Sequence, residues 1–128
     1  MDPAQALAEL RELSSQITAV VVLDGTGAVL ASSPENTASA STLAASALEL
    51  VAAASDLGTP VRDVTRVEVE LDEGAFFVVR EGERTVAATT GPNPTSGLVV
   101  YDLRTCAQSI RSEEPKRRRT RKPKEAAE

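Results

Sequence analysis

The sequence predicts an α+β domain built on a five-stranded antiparallel sheet. Three segments show helical periodicity, five short β-branched or alternating segments lie between them, and turns containing glycine join neighbouring strand segments. The order is helix, two strands, helix, three strands, helix, which places a helical crossover between a hairpin and a three-stranded meander. A length of 128 residues suits one such domain.

The apolar pattern of each strand predicts its place in the sheet. Residues 17–23 and 75–80 are apolar on both faces, as expected of interior strands covered on both sides. Residues 28–33 become polar toward their end, and residues 64–71 alternate between apolar and charged, so both are predicted to be edge strands. The order 2-1-5-4-3 satisfies these conditions, with one helix on one face of the sheet and two on the other.

The first and last helices are predicted from their ends and their apolar stripes. Asp2 is a suitable N-cap and Pro3 a suitable first residue for the first helix. Its stripe is predicted to contain Ala6, Leu10, Leu13 and Ile17. The stripe of the last helix is predicted to contain Val99, Leu103, Cys106 and Ile110.

The middle helix is apolar around most of its circumference. Residues 34–41 are rich in Ser, Thr, Asn and Pro and predict a loop, so Ser41 or Thr42 is expected to cap a helix from Leu43 to about Ser55. Its few polar residues fall on one narrow stripe. A helix of this kind needs two burial partners. The sheet supplies one, and a second subunit is the expected other.

Composition excludes several kinds of site. The chain has no His, no Trp and one Cys, so it lacks the usual ligands of zinc, the imidazole of the common catalytic triads, and a partner for a disulfide. No P-loop motif occurs. Cys106 is predicted to be a buried structural thiol, and Phe76 and Phe77 to be core residues. No catalytic residue, metal or cofactor is expected.

Charge divides the chain into an acidic body and a basic tail. Residues 1–110 carry 6 basic and 15 acidic groups, whereas residues 111–128 carry 8 and 4. The boundaries are therefore a domain of 1–110 and a tail of 111–128 that is predicted to be disordered, since it lacks Leu, Ile, Val and aromatic residues. The basic residues that define it are Lys116, Arg117, Arg118, Arg119, Arg121 and Lys122.

Several roles for this tail are compatible with its charge. It can bind a membrane surface, a nucleic acid or an acidic protein through electrostatics that weaken with salt. It can also be a solubilising extension or dock on the acidic body of the same protein. Thr120 follows three Arg residues, where a kinase with basic specificity could act. No targeting or membrane-spanning segment is evident at the sequence level, and a cytoplasmic location is expected.

Three stretches resemble one known family. Residues 20–32 (a strand, an Asp-x-x-Gly turn and a strand ending in small polar residues), the Ala-rich helix 43–54 and the strands within 64–79 are similar to the roadblock / dynein light chain family. Its bacterial members regulate Ras-like small GTPases. The resemblance covers about residues 4–110 and implies a profilin-like fold and a homodimer in which middle helices pack and third strands pair.

The implied function is that of a non-enzymatic adaptor that binds a Ras-like small GTPase through the middle-helix face and biases its switch conformation. Antiparallel pairing of two third strands about Val67 places Arg66 of one subunit opposite Glu68 of the other, an opposite-charge pair. A register centred on Glu68 brings like charges together. The predicted dimer interface contains Leu43, Ala44, Ala47, Leu48, Val51, Arg66, Val67 and Glu68.

Other interpretations remain open at this stage. The chain could be a monomer whose third strand is shielded by its charges. It could be a polymer-forming scaffold with a basic tether, or a profilin-like sensory module for a small ligand. Arg62 and Arg84 lie in predicted turns, so an arginine-finger role is open for them.

Overall fold

The structure, a computed structural model, describes residues 1–57 and 64–111. The helices are α1 (Pro3–Leu13), α2 (Thr37–Ser55) and α3 (Ser96–Arg111), and the strands are β1 (Ile17–Leu23), β2 (Val29–Ser33), β3 (Arg66–Leu71), β4 (Gly74–Glu81) and β5 (Arg84–Thr90). All neighbouring strands are antiparallel, in the order β2-β1-β5-β4-β3. The predicted fold class and strand order are confirmed.

The sheet separates two apolar cores. On one face α1 and α3 pack over a cluster that includes Phe77, Leu7 and Leu103. On the other face α2 packs over a smaller cluster that includes Phe76. The three interior strands, β1, β5 and β4, contribute to both cores because alternate side chains point to opposite faces. Cys106 and both Phe residues are buried, as predicted.

The beginning of α2 was predicted wrongly. The helix starts at Thr37, and the side chain of Asn36 accepts a hydrogen bond from the Ser39 amide (3.0 Å). Asn is among the best N-cap residues, and once this cap is in place the Ser- and Thr-rich stretch continues the helix. The predicted caps Ser41 and Thr42 are therefore helical residues.

The stripe of α1 also needs one correction. The cap at Asp2 and the position of Pro3 are confirmed, because the Asp2 carboxylate accepts from the Gln5 amide (2.9 Å). The helix ends at Leu13, whose side chain is 74% exposed, and the backbone at Ser14 is extended. Leu13 therefore lies outside the core, and Ile17 is buried as the first residue of β1.

We expect Gly74→Ala to destabilise the fold by about 1–3 kcal/mol, because a Cβ there would collide with the backbone carbonyl of Thr90 on the neighbouring strand. Gly97→Ala is the control: it has open space around it and lies in a helix, where Ala is favoured over Gly, so we expect a change below about 1 kcal/mol. Urea denaturation measures both. Equal stability of the two variants would contradict this packing at the β3–β4 turn.

One helix of the described residues, α2, is long and apolar enough to cross a membrane by length and composition. In the structure it lies against the sheet, with Ala40, Ala44 and Ala47 buried. Most of its remaining surface is not covered by the protomer. The helix thus has the surplus apolar surface that the sequence predicted.

Candidate functional site

Small residues set the position of α2 over the sheet. Ala40, Ala44 and Ala47 face the strands and are buried, so the helix lies close to them. Ala44 and Ala47 were predicted to lie in a dimer interface. They are instead enclosed by the sheet of their own protomer, where their short side chains position the rest of the helix.

An apolar groove runs between α2 and the strands beside it. It has a volume of about 600 Å³, and one of its walls carries the hydroxyls of Ser39, Thr42 and Ser46. We call it the α2 groove, and its remaining lining residues are Ala19, Ala38, Leu43, Leu50, Val69, Leu71, Phe76 and Thr89. It is the side of α2 that faces β3. Leu71, at the end of β3, leaves 55% of its side chain exposed here.

The opposite flank of α2 faces the β1–β2 turn. Leu48 approaches Gly27 there, so that a Cβ on Gly27 would lie 3.0 Å from a Leu48 methyl, and 43% of Leu48 is exposed. With Val51 it lines a cleft of about 740 Å³ at the β1–β2 and β4–β5 turns. Leu43 and Leu48, which the prediction grouped in one interface, therefore lie on two different flanks of the helix.

The outer side of β3 is open. Among the described residues no strand lies beyond it. The Arg80 amide donates to the Thr65 carbonyl (3.0 Å), and hydrogen-bonded pairs alternate along an antiparallel ladder. Arg66, Glu68 and Glu70 therefore direct their backbone N–H and C=O groups away from β4. We call this backbone the β3 edge.

The side chains of β3 divide between the two faces of the sheet. Val67 and Val69 are half-buried and pack against the α2 cluster. Arg66, Glu68 and Glu70 are exposed on the α3 face. This agrees with the alternation predicted from the sequence. The structure places Val67 near the start of β3.

A second cavity, which the sequence analysis missed, lies on the α3 face beside β3. It has a volume of about 380 Å³ and is lined by Glu68, Glu70 and Asp72 together with the loop before α3. The Ser96 hydroxyl at the start of α3 donates to the Glu68 carboxylate (2.7 Å). We call this cavity the acidic cleft. The carboxylates and the loop of residues 91–94 were visible in the sequence, but the position of that loop opposite the carboxylates was not.

The β1–β2 turn is held by one carboxylate. The Asp24 Oδ1 atom accepts hydrogen bonds from the Thr26 hydroxyl (2.6 Å), the Thr26 amide (2.8 Å) and the Ala28 amide (3.0 Å). These donors, the Thr26 hydroxyl first, lower the pKa of Asp24 below its usual value of 3.8. The turn therefore stays preorganised while Asp24 is ionised.

We expect the stability of the protein to fall as the pH drops below about 4, where unfolded carboxylates begin to bind protons. A carboxylate with a lowered folded-state pKa stabilises the fold above its unfolded pKa, and this stabilisation is lost as the pH falls through the folded pKa. Asp24→Asn keeps an oxygen acceptor but does not titrate. Thermal denaturation from pH 3 to 6 should show a shallower pH dependence in the variant, and identical profiles would contradict the assignment.

Neither Arg84 nor Cys106 supplies an exposed reactive group. Arg84 is 6% exposed, so the structure does not present it for insertion into a partner's site; Arg62 lies outside the described residues. Burial, with the charge of Glu9 as a smaller cause, raises the pKa of Cys106 to about 11, which keeps its thiol protonated at neutral pH. Within residues 1–57 and 64–111, no group of three or more His, Cys, Asp or Glu side chains is placed to hold a metal ion.

Comparison with known proteins identifies the family. Residues 3–90 match the family model of the Roadblock/LC7 domain. The chain belongs to the Roadblock/LC7 family. The matched region extends from α1 to the end of β5 and contains the α2 groove and the β3 edge. A search of curated proteins finds no match.

Solved structures share this fold at low sequence identity. A Roadblock/LC7 domain from Streptomyces avermitilis has a TM-score of 0.78 and 24% identity, covering 88% of this chain and 98% of its own. MglB, in a structure described as having a tetrameric arrangement, has a TM-score of 0.61 and 18% identity, and the match covers 84% of this chain and 87% of the MglB chain. LokiProfilin2, solved with rabbit actin, has a TM-score of 0.58 and 13% identity, and the match covers 84% of this chain and 94% of the profilin chain. The fold is thus shared between Roadblock and profilin proteins.

The sequence-predicted site residues are distributed over these features. Leu43 lines the α2 groove, whereas Leu48 and Val51 lie on the opposite flank. Arg66, Val67 and Glu68 lie on β3, adjacent to the groove through Val69 and Leu71. The tail residues Lys116, Arg117, Arg118, Arg119, Arg121 and Lys122 lie outside the described residues. Of the predicted tail, 111–128, only the backbone of its first residue is described, as the end of α3.

Proposed function

We propose that this protein is a homodimeric, non-enzymatic regulator of a Ras-like small GTPase and acts in the cytoplasm. Membership of the Roadblock/LC7 family supports the regulatory role, because the sequence resembles bacterial members that regulate such GTPases. The observation that carries the proposal is the adjacency of the α2 groove and the β3 edge. One partner subunit can cover both at once.

The dimer forms by pairing of two β3 edges. An open edge with unpaired backbone groups is a hazard for aggregation unless another strand or element covers it. A second copy of β3 satisfies these groups and extends the sheet across both subunits. The apolar α2 groove then lies next to the partner's α2, and its burial removes the exposed surface of Leu43, Leu50 and Leu71 from water.

Charge favours one register of this pairing. With the two-fold axis at Val67, each Arg66 lies opposite the partner's Glu68, and the pair occurs twice. Opposite charges directly across an antiparallel pair contribute roughly 0.2–1 kcal/mol each. With the axis at Glu68, two carboxylates face each other. The first register is therefore preferred.

The GTPase binds the flank of α2 that this dimer leaves exposed. Leu48 protrudes there beside Gly27 of the β1–β2 turn and is about two-fifths exposed. It lines the cleft at the β1–β2 and β4–β5 turns, which mixes apolar and charged side chains. Such a surface suits a partner that must bind and dissociate. The regulator shifts the switch conformation of the GTPase by binding one of its nucleotide states more tightly than the other.

Binding to purified GTPases tests this surface. Each Ras-like small GTPase of the source organism is immobilised with a non-hydrolysable GTP analogue or with GDP, and the 128-residue chain is titrated by biolayer interferometry. We expect one GTPase to bind and Leu48→Asp to weaken binding at least tenfold, about 1.4 kcal/mol. Leu98→Asp, at a similarly exposed position on α3, should bind normally. Equal losses in both variants, or no binding to any GTPase, would contradict the proposal.

A second candidate function is a sensory module for a small apolar ligand. The α2 groove favours it, since its volume of about 600 Å³ is in the range of ligand sites and its lining is mainly apolar. The two functions differ in what occupies the groove. A monomer at every concentration, whose melting temperature rises with an apolar ligand, would favour the sensory module over the dimeric regulator.

A further inference from the structure

On the α3 face of the sheet, β3 has a strip of surface that no other described element covers. This strip is the floor of the acidic cleft, and Glu68, Glu70 and Asp72 line it. α3 packs over β4 and β5 and leaves the strip uncovered. The cleft is lined mainly by polar atoms, whereas the α2 groove on the opposite face of the sheet is mainly apolar.

The carboxylates of the cleft lack cationic partners in the structure. Among residues 1–57 and 64–111, no side-chain hydrogen bond or ion pair involves Glu70 or Asp72, and Glu68 has the neutral Ser96 hydroxyl. Two other carboxylates of the body have partners: Asp24 accepts three hydrogen bonds within its turn, and Glu81 contacts Arg104 (3.3 Å) and Gln108 (3.0 Å). At the cleft, three carboxylates without a cationic partner among the described residues lie together on one surface.

The basic segment has the complementary charge. Residues 115–124 contain seven Lys or Arg residues and no Asp or Glu, and every Lys of the chain lies there. The body, residues 1–110, has a net charge of −9. A cationic segment near an anionic cleft is attracted over about one Debye length, about 10 Å at 0.1 M salt.

The chain is long enough for the basic segment to reach the acidic cleft. α3 begins at Ser96, beside Glu68, and ends at Arg111. At 1.5 Å per residue these ends are about 22 Å apart. An extended chain spans up to about 3.4 Å per residue, so Lys116 reaches about 17 Å from Arg111 and Lys122 about 37 Å. The chain beyond Arg111 is therefore long enough for residues 116–122 to return along α3 to the cleft.

We propose that residues 116–124 dock in the acidic cleft, where their Lys and Arg side chains pair with Glu68, Glu70 and Asp72. The contact lies beside the β3 edge, and salt or phosphorylation of Thr120 weakens it by screening or reducing the positive charge. The segment is then held in cis or between the two subunits of a dimer. This proposal goes beyond GTPase regulation and does not depend on it.

A spin label on the basic segment tests the docking. Thr120→Cys in the 128-residue chain provides one reactive thiol, because native Cys106 is buried and its pKa is raised to about 11. We expect a nitroxide at this position to broaden the amide signals of residues 68–72 and 93–96 at about 20 mM salt, and the broadening to be lost at about 0.5 M salt. Mixing isotope-labelled with spin-labelled protein separates contacts within a chain from contacts between chains, and either supports the proposal.

Matched charge removal completes the test. Glu70→Gln and Asp72→Asn combined should reduce the broadening at the cleft at least twofold, and they leave Glu68, which the proposed dimer uses, unchanged. Glu12→Gln and Glu35→Gln combined remove the same charge from exposed positions elsewhere and should preserve the broadening. Broadening spread evenly over the body, broadening lost equally in both variants, or none at low salt would overturn the proposal. The last result would assign the segment to an anionic partner in trans. No GTPase is present, so the outcome is independent of the proposed function.

Discussion

Phe77→Ala is expected to lower the free energy of unfolding by about 3–5 kcal/mol, the usual cost of truncating a buried Phe. Phe77 is fully buried at the centre of the core beneath α1 and α3. Its ring packs in the same cluster as Leu7 and Leu103, so its removal leaves a cavity between the sheet and both helices. Small domains have a total stability of only about 5–15 kcal/mol, so much of the fold's stability is lost.

Urea denaturation followed by circular dichroism measures this effect, with Leu13→Ala as the control. Leu13 occupies an apolar position of the α1 repeat but is 74% exposed, so we expect a change below about 1 kcal/mol. Comparable losses in the two variants would mean that the end of α1 is packed against the core. That result would contradict the position at which the structure ends this helix.

Arg66→Glu is expected to weaken the proposed dimer by roughly 1–4 kcal/mol, since it converts two attractive cross-strand pairs into two repulsive ones. The dissociation constant then rises about tenfold or more. Arg66 and Glu68 are exposed in the protomer, so the variant should fold normally. Sedimentation velocity over a range of concentrations measures the shift from dimer to monomer.

The charge-swapped variant Arg66→Glu/Glu68→Arg is the control for this prediction. It reverses the order of the charges but restores both cross-strand pairs in the register centred on Val67. Dimerisation should therefore recover. If the single and double variants dissociate equally, the register is wrong. If the wild type forms larger assemblies at higher concentration, a polymer-forming scaffold explains the open edge better than a discrete dimer.

The sheet could be predicted from the sequence because its signals are local. Continuous apolar strands such as residues 17–23 differ clearly from alternating strands such as β3, and this difference orders the sheet. The ends of α1 and α2 were harder to predict. Leu13 fits the helical repeat of α1, but the backbone becomes extended at Ser14 and the helix ends. Ser41 and Thr42 are suitable N-cap residues, but α2 is capped earlier, by Asn36. Several adjacent candidates compete at a helix end, and small energy differences decide between them.

The candidate site was predicted in part. The apolar excess of α2 and the alternation of β3 were visible in the sequence, but the division of α2 into two flanks was not. Leu43 and Leu48 are both apolar positions of one helix, and their separation depends on how Ala44 and Ala47 seat that helix on the sheet. The acidic cleft was missed because its second wall comes from a loop about 20 residues away in sequence.

The most direct test of the regulatory role compares the affinity of the protein for the two nucleotide states of its GTPase. A regulator can bias a switch only if it binds one state more tightly, and the difference in affinity sets the size of the bias. Isothermal titration of the purified GTPase, loaded with GDP or with a non-hydrolysable GTP analogue, should show at least a tenfold difference in Kd, about 1.4 kcal/mol. Binding with equal affinity to both states would contradict the account and leave the protein a scaffold.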